Sequence, residues 1–428
     1  MAGLVLCRGK SPARCHSEER VAPTTQVHAL RRSRVNEAGA ATRNLLFLKR
    51  AILIGMALSC LLGNHFAQAQ TPPEQKPLTA GQFFKNVTVL ANLPVNEFMT
   101  TMGFFSASLG YSCENCHGAD TGWDNYAAEN REKKQTARRM ILMMTAINKT
   151  YFAGRQVLTC YTCHRGGDQP TITPNLAALY SPPPEEAKDI VPEAKGSPSA
   201  DQIFNKYLEA LGGPQRLGSL TSMIATGTVV GYGLDAEKQA VEIYAKAPGQ
   251  RATIIHSPEG DNITSLDGRS AWMAGPQIAG PAIPVPVLAL TGGDLDGLKL
   301  EAHLSFPGSI KQAFSQWRVG QQTDINDRQV QVVQGSTPGG AFATLYFDAD
   351  SGLLVRVMRY TDSFVGRFPT QIDYSDYREV SGVKMPFKWT VVWLDGLQTF
   401  ELTDVKLNAP IDALKFSKPT VTSRPPAP

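Results

Sequence analysis

Two pentapeptides constrain this chain more than any other feature: Cys113-Glu114-Asn115-Cys116-His117 and Cys160-Tyr161-Thr162-Cys163-His164. Each is a Cys-x-x-Cys-His. Two thiols at this spacing, followed at once by an imidazole, suit covalent haem attachment. The thiols add across the two vinyl groups of the macrocycle as thioethers, and the His reaches the iron as proximal ligand. Two copies imply two haem c groups. The cysteine count agrees. Of the seven Cys, residues 7, 15 and 60 precede the region where a mature chain is expected to begin, and the other four all lie in the motifs. Zinc is the main competing reading, but zinc ribbons close much shorter loops than the one from His117 to Cys160 and leave the His in both copies unexplained. Structural disulfides and a thioredoxin-like redox centre are less specific readings of the same cysteines.

Each iron needs a sixth ligand or an open site. Beyond residue 70 the only further histidines are His256 and His303, far along a different-looking segment. Methionine is the other common axial ligand and raises the potential. Met99 and Met102 precede the first motif; Met140, Met143 and Met144 precede the second. Phe98, Met102, Phe105 and Leu109 share one face of an expected helix, with Asn96 as N-cap and Gly110 just past its end. Met140, Met143, Met144 and Ile147 share a face of a second. A haem is a large apolar plate, so core and ligand roles are not exclusive. Spacing alone does not choose among these methionines.

The segment Met102-Gly-Phe-Phe-Ser-Ala-Ser-Leu109-Gly110-Tyr-Ser-Cys113, with Arg138-Arg139-Met140, Ile147-Asn148 and Thr159-Cys160-Tyr-Thr-Cys163-His164-Arg165-Gly166, resembles the cytochrome c subunit of photosynthetic reaction centres. The resemblance covers about residues 80–175. It implies that the helix before each motif supplies a Met ligand. Carried over residue by residue, the axial pairs become His117 with Met102 and His164 with Met140. It also implies electron transfer to redox partner proteins, such as a membrane reaction centre or another membrane electron-transfer complex. The family protein usually holds four haems, whereas this chain has motifs for two.

Charge is uneven. Residues 1–69 hold ten Lys or Arg against three Asp or Glu, so the chain's formal +4 reflects its leader. No basic stripe with interleaved aromatics follows, which argues against nucleic acid as a partner. Lys49-Arg50, an apolar run over 51–63 and Ala67-Gln68-Ala69 form a secretory signal, with a mature terminus near Gln70. The run is short for a membrane span, which takes about 20 residues. A periplasmic or otherwise exported location follows, with membrane association as a variant of it. Arg138, Arg139 and Arg165 are candidates to pair with haem propionates or to be solvated.

Residues 70–175 are thus expected to form a dihaem cytochrome c domain. Residues 176–199 form a Pro-rich linker and residues 200–425 an antiparallel β domain. Asp201 is expected to cap a helix carrying Ile203, Phe204, Tyr207, Leu208 and Leu211. The pattern then alternates. Strands are expected at 223–230, 240–247, 252–257, 262–267, 317–323, 329–334, 341–347, 353–360, 371–379, 387–393 and 399–407. Helices are expected at 295–304 and 309–314. Tyr346-Phe347-Asp348-x-x-Ser351-Gly352-Leu353-Leu354 and Asn408-Ala-Pro410-Ile411-Asp412-x-x-x-Phe416 weakly resemble bacterial lipoprotein-carrier half-barrels. That resemblance implies a concavity able to hold a lipid or other hydrophobic ligand. The expected fold class is multidomain: a mainly-α dihaem cytochrome domain, then a mainly antiparallel, half-barrel-like β domain with a few helices. No catalytic constellation is visible, so an electron-transfer protein is expected rather than an enzyme. A dihaem peroxidase needs one open iron, and a lipid carrier with an attached redox module is the third reading.

Overall fold

The computed structural model describes residues 76–118, 126–129, 132–177, 191–231, 237–258, 260–275, 287–338 and 340–420. The signal segment and its cleavage site lie outside these residues, as does most of the Pro-rich stretch. Everything described belongs to one unit, Glu74–Pro428.

Among the described residues five helices come first: α1 (Ala80–Phe83), α2 (Val95–Leu109), α3 (Cys113–His117), α4 (Glu132–Tyr151) and α5 (Cys160–His164). Helix α2 ends where expected, at Gly110, whose φ of 65° is the left-handed conformation that glycine adopts without strain. Its start differs from expectation. Pro94 is the N-cap, and Asn96 lies one position inside the helix, where its amide donates to Asp294 Oδ2 at 2.9 Å. Helix α6 (Ala200–Ala210) begins at a capping box of Ser199 and Gln202, two residues before the expected Asp201 cap. It buries Ile203, Phe204, Tyr207 and Leu208 on one side. Helix α7 (Pro214–Gly218) follows, with Pro214 at its first position.

The remainder is one antiparallel sheet of fourteen strands, β1 (Ser222–Gly231) to β14 (Gly396–Leu407). Its order is β6-β5-β4-β3-β2-β1-β14-β13-β12-β11-β10-β9-β7, with β8 also on β9. Two meanders therefore meet where the first and last strands pair, Met223 opposite Leu407. The crossover from β6 (Leu288–Leu290) to β7 (Gln316–Val319) carries helix α8 (Gly292–Leu304) and a 3-10 turn (Pro307–Gln312). Strand β2 (Gln239–Lys246) shows why these segments are strands. Val241, Ile243 and Ala245 are buried while Ala240 and Lys246 are exposed, the period of two that one buried face demands. A bulge between Thr226 and Gly227 bends β1, and a Cβ on Gly227 would fall 2.2 Å from Glu401 O.

The main core lies between this sheet and helices α6, α7 and α8. Phe204 sits edge-on to Trp317 at 4.7 Å and to Phe347 at 5.8 Å. Burying a side chain like Phe204 contributes about 2–3 kcal/mol. The end of the Pro-rich stretch is tied to the sheet: Val191 N donates to Gln334 Oε1 at 3.2 Å and Ala194 N to Val319 O at 3.0 Å. Among the described residues, no helix is long and apolar enough to cross a membrane.

Candidate functional site

Both Cys-x-x-Cys-His motifs form the same local structure. Each is a single helical turn with a polar N-cap: Ser112 boxed with Asn115 for α3, Thr159 with Thr162 for α5. At α5 Thr159 Oγ1 accepts from Thr162 N at 3.3 Å, and at α3 Asn115 Oδ1 accepts from Ser112 N at 2.7 Å, so a short, closed turn sets the two thiols and the imidazole in each copy. His117 Nδ1 lies 3.0 Å from Tyr126 O, and His164 Nδ1 lies 3.1 Å from Gly167 O. A carbonyl oxygen only accepts, so each Nδ1 carries the proton and each Nε2 keeps the lone pair that a metal takes. This is the outer contact that orients metal-binding histidines. The Tyr126 ring also stacks on the His117 ring, centroids 4.4 Å apart and planes 20° from parallel.

The two motifs meet through α2. Gly166 N donates to Ser108 O at 2.9 Å, and a Cβ on Gly110 would fall 2.4 Å from Gly166 O. Helix α4 packs on both α3 and α5. Asn148, 7% exposed, ties α4 to the approach of the second motif. Its amide donates to Leu158 O at 2.8 Å, and its Oδ1 accepts from Val157 N at 3.2 Å and Leu158 N at 3.0 Å. Arg138 pairs with Glu129, both oxygens at 2.9 Å, and with Asn86 O. The guanidinium thus has protein partners already.

The buried stripes of these helices are not the apolar faces expected from sequence. On α2, Thr101, Phe104 and Ser108 are buried, while Phe98, Met102, Phe105 and Leu109 are half-buried and Met99 is exposed. On α4, Ile141, Met144 and Asn148 are buried, while Met140 is 38% and Met143 48% exposed. Phe104, Met144, Val365 and Phe368 form a small cluster joining α2, α4 and the sheet, with Cys160 packed against it. Met140 is thus exposed, while the face carrying Met102 is partly packed, with Phe98 5.2 Å from Phe84 and Phe105 against the Phe104 cluster. Four thiols and two imidazoles in matched turns are donors of the kind that c-type haem attachment uses. Burial raises the Cys116 thiol above its ordinary pKa and pushes that of Cys160 up to about 11. His256 lies on β3 (Gln250–Ser257), bonded to Asp261 Oδ1 at 2.8 Å, and His303 lies on α8.

Between the sheet and α8 lies a partly open cavity of about 260 Å³, lined by Met223, Ile243, Leu298, Tyr374, Trp389 and Phe400 among others. Arg251 and Glu301, 3.4 Å apart, supply its charge. Sequence reading had no signal for this pair, because the two residues come from a strand and a helix distant in the chain.

Residues 59–195 match the family model of the photosynthetic reaction centre cytochrome C subunit. One relative, the reaction center cytochrome c subunit of Rubrivivax gelatinosus, is 32% identical over 115 residues, 24% of this chain and 30% of its own length. That of Thermochromatium tepidum is 31% identical over 135 residues, 29% of this chain and 31% of its own. The chain thus spans about a third of these relatives. Among solved structures, a LolA superfamily protein from Nitrosomonas europaea is 14% identical with a TM-score of 0.36, covering 52% of this chain and 99% of that one. A lipoprotein-sorting protein domain from Vibrio parahaemolyticus is 13% identical with a TM-score of 0.34, covering 50% and 97%. Likeness at this level carries no functional weight.

Proposed function

We propose that the chain is an exported cytochrome that holds two covalent haems and passes single electrons. What supports this most is the matched pair of motif turns, each His bonded through Nδ1 to a carbonyl. When bound, the haem irons supply the ferrous–ferric couple. Cys113 and Cys116 tether one haem, and Cys160 and Cys163 the other. His117 and His164 present Nε2. Met102 and Met140 would offer their thioether sulfurs as the further ligands of bound haem, which would keep its potential relatively high and argue against peroxidase chemistry. The relatives' names point to a membrane-bound redox complex of reaction-centre type as the partner. Export through segment 51–63, with a mature end near Gln70, puts both on the same side of the membrane.

Spectroscopy of axial variants tests this reading. The ferric protein is expected to show the weak charge-transfer band of His/Met haem near the red edge of the visible spectrum. Met102→His keeps a low-spin iron and lowers its potential. Met140→Leu removes the band of one haem, and Met143→Leu changes nothing. If Met140→Leu is silent while Met143→Leu or Met144→Leu removes the band, the second ligand sits elsewhere on α4.

A second reading concerns the sheet. Its cavity, mostly apolar with one Arg251–Glu301 pair, suits an acyl chain carrying a polar end. Organic extraction of the purified protein followed by mass spectrometry tests it, since an extract free of lipid contradicts it.

A further inference from the structure

We infer that Lys134 holds the two haems at different potentials, acting through the carbonyl that orients His117; this rests on the cytochrome reading above. The donor strength of an iron-bound imidazole depends on the bond its Nδ1–H makes, because a stronger acceptor gives the ring more anionic character. At His117 the acceptor is Tyr126 O, 3.0 Å away. The same oxygen accepts from Lys134 Nζ at 2.7 Å. An ammonium bond is charge-assisted and draws density from the carbonyl. What remains for the imidazole is a weaker acceptor, so His117 donates less to ferric iron. The fixed positive charge also opposes gain of positive charge at the iron. Both effects favour the ferrous state and raise the potential at this site. At His164 the acceptor is Gly167 O, and among the described residues no Lys or Arg hydrogen bond to that oxygen is seen.

The carbonyl is held by a built turn. Asn86 Nδ2 donates to Ala127 O at 2.7 Å, Gln135 Nε2 to Glu129 O at 3.1 Å, and Arg138 grips the Glu129 carboxylate. Lys134, Gln135 and Arg138 all come from α4. One helix therefore carries the proposed Met140 ligand of one haem and fixes the proximal contact of the other. Lys134 is a positioning and tuning residue that acts through the Tyr126 carbonyl.

Lys133 offers a matched control. It carries the same charge one residue away, but its ammonium lies over the Tyr111 ring, 4.1 Å from the centroid. The test is a two-step redox titration of holoprotein at high salt, where distant surface charges are screened. Lys134→Met is expected to lower one midpoint and leave the other in place. Lys134→Arg restores it. Lys134→Gln, which keeps a donor but not the charge, falls between. Lys133→Met removes a charge that also reaches Cys116 but leaves the Tyr126 carbonyl bond intact, so it is expected to lower the same midpoint by less than Lys134→Met does. Unchanged midpoints in Lys134→Met overturn the inference, as does an equal fall of both midpoints in Lys134→Met and Lys133→Met. Failure of the cytochrome reading itself looks different, because no covalent haem and no midpoint would then be measured.

Discussion

Replacing Asn148 with leucine is expected to destabilise the approach to the second motif. The side chain is buried and makes three hydrogen bonds to the backbone of Val157 and Leu158. A net hydrogen bond contributes about 1 kcal/mol, and a buried group left without a partner costs about 1–3 kcal/mol. Val157 is 47% exposed, so water reaches its amide and softens the loss there. Leu158 is less accessible and loses both an acceptor for its amide and a donor for its carbonyl. The expected cost is therefore about 2–4 kcal/mol, near the lower end if the loop shifts to admit water. Asn148→Asp keeps the acceptor for the two amides and loses only the donor, so it is expected to fall between the wild type and Asn148→Leu. Urea denaturation followed by far-UV circular dichroism measures both, with the slope expected to stay unchanged. Because the loop leads straight to the Thr159 cap, Asn148→Leu is also expected to broaden the signals of one haem in paramagnetic NMR. A cost under about 0.5 kcal/mol would refute the view that this side chain holds the loop.

Phe104→Ala removes a ring packed 5.1 Å from Phe368 at the contact of α2 with the sheet, and is expected to cost about 3–5 kcal/mol in the same denaturation assay. Gly110→Ala forces a side chain onto a φ of 65° and into Gly166 O, so a loss of at least about 1–3 kcal/mol is expected. Burial raises the Asp395 carboxyl above its ordinary value of 3.8 where it abuts Gly103. Folding then favours the protonated acid. Its contribution is present below 3.8 and is lost as pH rises through the higher folded-state value. Asp395→Asn should remove that part of the pH dependence and be more stable than wild type at neutral pH, as urea midpoints across this range can show.

Much of the sheet was legible because one buried face imposes alternation on every long strand. The missed strands, Ala271–Ala274 and Leu288–Leu290, are too short to show a period. The expected strand over 317–323 is split, with β7 ending at Val319 and β8 spanning Thr323–Ile325. The two motifs stand out by spacing alone, and the structure gives both copies the same single helical turn. Helix orientation was not. Hydrophobicity picked the faces of Met102 and Met140, yet protein buries the neighbouring stripes. There Thr101 and Ser108 are buried beside Phe104, and the polar Asn148 is buried with Ile141 and Met144. Asn96 looked like a cap because its side chain commonly closes helix starts. Its actual partner, Asp294, lies 198 residues away and leaves no local trace. The Tyr126 and Gly167 carbonyls are backbone atoms, so nothing in residue type announces them.

The most direct measurement is intact-protein mass spectrometry after expression with haem-maturation machinery, paired with metal analysis. The account predicts a mature chain beginning near Gln70 that carries two covalent haems and two irons. A chain with free thiols, or one holding zinc at the four cysteines, would contradict it.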